Sequence, residues 1–404
     1  MPASAVFDLH CDTLTAFMDP TRCRDTLDDP LSSFALSKIP QGVSWCQCCA
    51  IFIPDGLTPK EAEGYYAFHQ RSFIRQMGCL SSQVLPCRTA DDICRAWDCG
   101  KAAVILTVEN GAALGGRLER IERLARDGVR MMTLTWNGEN ELGSGHETDR
   151  GLSSFGKAAV QELERQGILV DVSHLNDQGF EDLLDISEKP FVASHSNARS
   201  VCGHRRNLTD WQIREMAARG CLIGLNYYSP FLRSDGCPAG LDDLYRHAAH
   251  FLDLGAENCL ALGSDFDGAD LPPCLDSPIK AAGLWDYLTG RHIPPTLVQK
   301  IMYQNALNFF RAGLSTLFFY LTGAKNRELL APGFPYPSIW RPRKPAMDWA
   351  SLYSTSPPSS SSGRPTKTTL PSTSPSERMG ATVSRQNLSS PVHRGSGASP
   401  PLCW

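Results

Sequence analysis

Residues 190–226 read PFVASHSNARSVCGHRRNLTDWQIREMAARGCLIGLN, and this stretch decides the fold. It opens on a short apolar run, 190–195, that stops at His195, and closes on a second, 221–226, that stops at Asn226. Between them 209–219 has the apolar spacing of a helix, with Thr209 and Asp210 both suited to cap its start. Two buried strands joined by a helix make a βαβ unit, whose strands run parallel.

The same alternation extends in both directions. Strands are predicted at 5–10, 43–53, 103–109, 129–136, 168–174, 190–195, 221–226 and 260–265, and helical patterns at 59–77, 118–127, 155–166, 209–219 and 241–254. Eight strands rich in Val, Ile and Leu, separated by helices, predict an α/β fold closed into a (β/α)8 TIM-like barrel. An open doubly wound sheet is the alternative, because strand number alone does not prove closure. No solenoid-length repeat is present. The barrel is expected to occupy 1–321. Beyond it prolines crowd 332–345, and 351–401 is mostly Ser, Pro, Thr and Gly. Such a composition cannot bury enough apolar surface to offset its ordering entropy, so 322–404 is expected to be a disordered, low-complexity tail.

Charge and composition narrow the function classes. From Gly323 onward ten Lys/Arg face three Asp/Glu, a net of +7, so a whole-chain charge of −4 leaves −11 for the remainder. An acidic body argues against nucleic-acid binding, which needs a basic face. No apolar run reaches 18 residues; the nearest, 309–321, is shorter and contains Arg311, so no membrane span is expected. The N-terminus has no basic segment followed by an apolar run, which predicts a cytoplasmic protein without a secretion signal. In that compartment the fifteen cysteines are expected to be reduced thiols. Cys46, Cys48 and Cys49 fall within one strand, where a core role is the better reading than a metal site.

Acidic and imidazole side chains recur at strand ends, where barrel active sites are built. His10 and Asp12 close the first strand, Glu109 the third, His174 the fifth, His195 the sixth and Asp265 the eighth. A closed barrel would bring all six to one mouth. Nitrogen and oxygen donors without thiolate suit zinc, manganese or cobalt, with zinc the default. A carboxylate between two such clusters can bridge two ions about 3.5 Å apart.

Taken in order, several segments resemble the membrane (renal) dipeptidase family of zinc peptidases and its bacterial members. They are Asp8-Leu-His10-Cys-Asp12, Thr107-Val-Glu109-Asn-Gly111, Gly151-Leu-Ser-Ser-Phe-Gly-Lys157, Val170-Asp-Val-Ser-His174, Ser194-His195-Ser196-Asn-Ala-Arg199, Arg206-Asn207-Leu208-Thr-Asp210 and Gly263-Ser-Asp265-Phe-Asp-Gly268. The likeness runs from about residue 5 to 312. It implies a metal-dependent hydrolase barrel with two zinc ions per chain, cleaving dipeptides by attack of a water or hydroxide that bridges the ions. By the same resemblance His10 and Asp12 bind one zinc, His174 and His195 the other, and Glu109 bridges them. Asp265 accepts and returns the proton. Arg206 grips the substrate carboxylate, with Tyr228, or less favourably Tyr227, beside it. A homodimer is also in keeping with the family.

Alternatives stand beside these roles. Arg206 could instead form an ion pair with Asp210, and either tyrosine could belong to the core or rim. The family has a histidine after the Leu-Thr of its fourth strand; here Leu134-Thr135 is followed by Trp136, whose indole cannot carry a proton as a cation. Asn137 or His146 could substitute, although His146 could equally be an exposed loop residue. His69, His204, His247, His250, His292 and His393 lack ligand spacing, and His247 and His250 are expected on the surface. A different amide or lactam hydrolase on the same site is the second functional reading, and a catalytically silent barrel the third.

Overall fold

The structure, a computed structural model, describes residues 4–16 and 27–315; the predicted tail, 322–404, and His393 lie outside them. Nine parallel strands follow one another as β1 (Ala5–Cys11), β2 (Ser44–Phe52), β3 (Val84–Pro86), β4 (Ala102–Glu109), β5 (Met131–Thr133), β6 (Leu169–Asp171), β7 (Val192–Ala193), β8 (Leu222–Leu225) and β9 (Leu260–Leu262). Eight of them close a ring, β1-β2-β4-β5-β6-β7-β8-β9 and back to β1, so the open-sheet alternative falls away. Closure follows from β1, which pairs with β2 on one side and β9 on the other.

The predicted strands are found, but several are shorter. The segment 168–174 keeps only Leu169–Asp171 in the ladder, and 260–265 only Leu260–Leu262. Three residues past each of these ladder ends the chain turns out of extended geometry, His174 and Asp265 adopting φ of 71° and 67°. β3 was not anticipated. It is three residues long and lies along Ala102–Val104, the part of β4 that precedes β5's contact at Thr107 and Val108. A strand this short is below the length at which alternation is readable.

Helices cover the outside of the ring: α1 (Pro59–Cys79), α2 (Ala90–Asp98), α3 (Glu119–Asp127), α4 (Ser154–Gln166), α5 (Asp177–Ile186), α6 (Asp210–Ala218), α7 (Ser229–Leu232) and α8 (Leu241–Asp253), then four more from Pro278 to Ser315. Their starts are written in the sequence. Thr58, Thr89 and Thr209 each accept from the N–H three residues on, and Glu61, Asp92 and Gln212 reciprocate. Thr209, rather than Asp210, is therefore the cap of α6. No helix among the described residues is long and apolar enough to cross a membrane.

The core has two layers, the ring interior and the seam between ring and helices, and β4 is buried along its whole length. The described cysteines are free thiols, and Cys46, Cys48 and Cys49 are buried in β2 as core residues. Two strands approach within the reach of a methyl group: a Cβ on Gly224 or Gly263 would lie 2.0 or 1.8 Å from the Ser194 carbonyl oxygen. Only glycine fits at either position, and their absence of side chain lets β7, β8 and β9 draw together beneath the mouth.

Candidate active site

Two buried aspartates fix the geometry from below. Asp8 accepts from the N–H of His10 (3.1 Å), Gln47 Nε2 (2.9 Å) and Ser264 Oγ (3.0 Å), tying β1 to the middle of β2 and to the chain just past β9. Asp171 accepts from Thr133 Oγ1 (2.9 Å) and the N–H groups of Ser173 and Ser194 (both 2.9 Å), tying β6 to β5 and β7. Burial pushes the Asp8 carboxyl up to about 6 against these donors. Neither aspartate had been assigned a role from the sequence. The signal was an acidic residue inside an otherwise apolar strand, which is costly unless hydrogen-bonded.

Above them the six predicted residues meet. His10 Nε2 lies 3.3 Å from Asp12 Oδ2, 3.5 Å from Glu109 Oε2 and 3.9 Å from Asp265 Oδ1. His174 Nε2 is 2.9 Å from Glu109 Oε1, and His195 Nε2 is 3.9 Å from the same oxygen. Glu109 thus reaches His10 with one oxygen and the other two imidazoles with its second. The rings of His10 and His195 stack with centroids 3.9 Å apart. The backbone is strained where it delivers two of these groups, at the positive φ of His174 and Asp265, which costs about 1–3 kcal/mol each and is found at functional sites.

The tautomers follow from the partners. His174 Nδ1 donates to Asn137 Oδ1 (2.9 Å), so Asn137 orients a site imidazole. Ser194 Oγ donates to Asp171 Oδ2, which leaves its lone pair to accept from His195 Nδ1 at 2.7 Å. Both rings then turn unprotonated Nε2 atoms into the pocket, and these sit 3.0 Å apart. Two lone pairs at that distance repel unless a cation lies between or beside them. Burial first, then Arg206 for His174 and His10 for His195, holds both imidazoles well below the usual range, in the neutral ligand form.

On the other side carboxylates crowd together. Burial and the Asp12 carboxylate push Glu109 up to about 8. Burial also raises Asp265, with Asp12 adding to it. Burial opposes charge on His10, but Asp12 and Glu109 outweigh it and hold its imidazolium well above the ordinary range. Asp12 Oδ1 is buried with no hydrogen-bond partner among the described residues. His10, Asp12 and Asp265, and likewise His10, Glu109 and His195, each present three ligand atoms within 4.8 Å of one another. Orphaned oxygen, opposed lone pairs and crowded carboxylates fit divalent cations, with nitrogen and oxygen donors throughout.

Arg206 stands beside this cluster, 4% exposed. Its guanidinium donates to Ser196 Oγ (3.0 Å) and to the His195 carbonyl (3.2 Å), while its Nε has no hydrogen-bond partner among the described residues. Among the described residues no carboxylate forms an ion pair with it. The alternative partner, Asp210, instead meets His250 Nε2 at 2.8 Å. Burial lowers the Arg206 guanidinium to about 10, with Asp265 and Glu109 acting against that fall. Tyr228 is half-buried and packs edge-on to Phe231 (4.9 Å), over which Arg206 also lies (5.7 Å). Tyr227 is buried against Phe266.

Three expectations need correction or sharpening. His247 is not on the surface: it is fully buried, its Nδ1 accepting from the Ala198 N–H (3.1 Å) and its Nε2 donating to the Leu232 carbonyl (3.1 Å). The sequence showed two polar histidines on one helix but not which face α8 buries. His250 is half-buried in its pair with Asp210. His146 is half-buried rather than exposed, its ring 6.1 Å from that of His174 and 6.0 Å from that of His204. Asn226 went unassigned; its Nδ2 donates to Asp265 Oδ2 at 3.0 Å.

Imidazoles and carboxylates gathered at the C-terminal mouth of a closed parallel barrel are the donor set of a metal-dependent hydrolase. Residues 1–314 match the family described as membrane dipeptidase (peptidase family M19), and the chain belongs to that family. It is accordingly a metal-dependent dipeptidase. A solved dipeptidase of family M19 is 26% identical, with a TM-score of 0.73 over 77% of this chain and 99% of that one. A metallopeptidase from Rhodobacter sphaeroides, solved with a phosphinate mimic of the dipeptide L-Ala-D-Ala, is 25% identical, with a TM-score of 0.72 over 76% of this chain and 98% of the other. An uncharacterised protein from the pqqA 5′ region of Klebsiella pneumoniae is 30% identical over 60% of this chain and 94% of its own length. An uncharacterised dipeptidase of Schizosaccharomyces pombe is 33% identical over a stretch covering 46% of each chain.

Proposed function

We propose that this site hydrolyses the peptide bond of free dipeptides with two zinc ions, His10 and Asp12 holding one, His174 and His195 the other, and Glu109 shared between them. The observation that carries the reading is a buried guanidinium, Arg206, with no carboxylate partner among the described residues, beside a cluster whose donors fit cations. When bound, the two ions would polarise the peptide carbonyl and bring a water's pKa toward neutrality.

The chain's own groups do the rest. Arg206 offers a planar pair of N–H donors that matches a carboxylate in two parallel hydrogen bonds. A free carboxylate one residue beyond the scissile bond satisfies it, so cleavage falls on the last peptide bond, the single bond of a dipeptide; a substrate extended past that residue places no charge there. Asp265, raised by burial and steadied by Asn226, takes the proton of the attacking water. It then delivers that proton to the departing amine. Tyr228 lies on the Arg206 side of the mouth, next to the same phenyl ring, where it can border the bound carboxylate.

The test is metal removal and return. Chelated protein should lose hydrolysis of L-Ala-D-Ala and L-Ala-L-Ala, and about two zinc equivalents per chain should restore it. Restoration complete at one equivalent would reject the paired site. Cleavage of N-acyl or lactam amides in preference to both dipeptides would reject the substrate assignment.

A further inference from the structure

Arg206 marks only one end of the substrate. The ring order β1-β2-β4-β5-β6-β7-β8-β9 sets β2 opposite β7. Arg206 binds backbone and side-chain atoms just past β7, at His195 and Ser196. A dipeptide with its carboxylate there and its amide over the cluster extends its first residue toward the β2 side of the mouth. Two large side chains stand at that side. Phe52 ends β2, Trp136 follows β5, and their rings meet edge to face at 4.9 Å. Both are only half-buried. The Trp136 ring lies 6.4 Å from that of His174.

This wall is held rigidly. Thr135 before Trp136 is buried, and Asn137 after it is fastened to His174. Gly138 donates to Asp55 (2.8 Å), which also accepts from Asn110 Nδ2 (2.9 Å). Gly145 donates to the Gly138 carbonyl (2.7 Å), and a Cβ on Gly145 would lie 1.9 Å from the Trp136 carbonyl oxygen, so the loop is closed tightly against its neighbour. Trp136 therefore cannot move far from the candidate ligand that its neighbour orients. Rigid aromatic area left open at the edge of a polar site is where a ligand's apolar part gains most from leaving water.

Resting on the reading of Arg206 as the carboxylate clamp, we propose that Trp136 and Phe52 form the specificity wall for the first residue of the substrate, favouring large apolar side chains at that position. The experiment compares kcat/KM over two series, L-Xaa-Ala and L-Ala-Xaa, with Xaa as Gly, Ala, Leu and Phe, each on zinc-loaded full-length protein. Leu-Ala and Phe-Ala should exceed Gly-Ala by about tenfold or more in the unmodified enzyme. Trp136→Ala should shrink that ratio to about threefold or less, Phe52→Ala should reduce it in part, and Trp136→Phe should retain most of it. The L-Ala-Xaa ratios should change little in any variant, and unchanged zinc content certifies folding. A merely structural role for Trp136 would depress both series alike.

The wall is rejected if the first-position ratio is flat in the unmodified enzyme, survives both alanine variants, or falls only in the L-Ala-Xaa series. Those outcomes leave dipeptide cleavage intact. Failure of the zinc-loaded enzyme to cleave any dipeptide would instead remove the function on which the wall rests, and the wall with it.

Discussion

The two halves of the mouth are built on the same plan and tuned in opposite directions. On the β1–β9 side, Asp8 braces a set of His10, Asp12 and Asp265 that is rich in carboxylate. On the β6–β7 side, Asp171 braces His174 and His195, which burial and nearby cations hold neutral. Glu109 touches both. The difference suits the division of labour we propose: a carboxylate-rich half fitted to a cation and a proton, and an imidazole half fitted to a second cation beside the buried Arg206.

Breaking the link between the halves should have the largest effect. Glu109→Gln is expected to reduce hydrolysis to background and lower bound zinc at both positions, measured by metal analysis of the purified protein. Full occupancy with activity retained would show that the halves work independently. Next in size, Asp265→Asn should keep both metals but lose about 10²–10⁴ in kcat, because the amide preserves the bond to Asn226 while removing the proton carrier. Loss of metal in step with activity would make Asp265 a ligand rather than an acid–base group.

Two smaller effects sharpen the contrast. Arg206→Ala should raise KM for dipeptides by about 30- to 100-fold, the equivalent of about 2–3 kcal/mol for a charge-assisted bidentate contact. An unchanged KM would dispose of the clamp. Asp171→Asn should weaken zinc binding by about 10- to 100-fold in one of two titration steps, and Asp8→Asn in the other. Both variants weakening the same step would dissolve the division into halves.

These contrasts also show how far the residues could be read in order. The candidate site residues His10, Glu109, His174, His195 and Asp265 were legible because apolar runs stop abruptly at a polar group. Asp8 and Asp171 were visible as anomalies inside apolar strands, but their partners Gln47, Ser264, Thr133 and Ser194 come from other strands and carry no local signal. Likewise, His247 and His250 look alike on one helix, and only packing buried the first and exposed the second to Asp210.

By itself the sequence determined the alternation of strands and helices, the caps at Thr58, Thr89 and Thr209, and the identity of the six groups at the mouth. These depend on local spacing and on which side chains shun water. The tertiary structure decided ring closure through the β1–β9 pairing, the left-handed turns at His174 and Asp265, and the packing of Trp136 against Phe52 and of Arg206 against Phe231. Each of those depends on contacts between residues far apart in the chain, which no local pattern encodes.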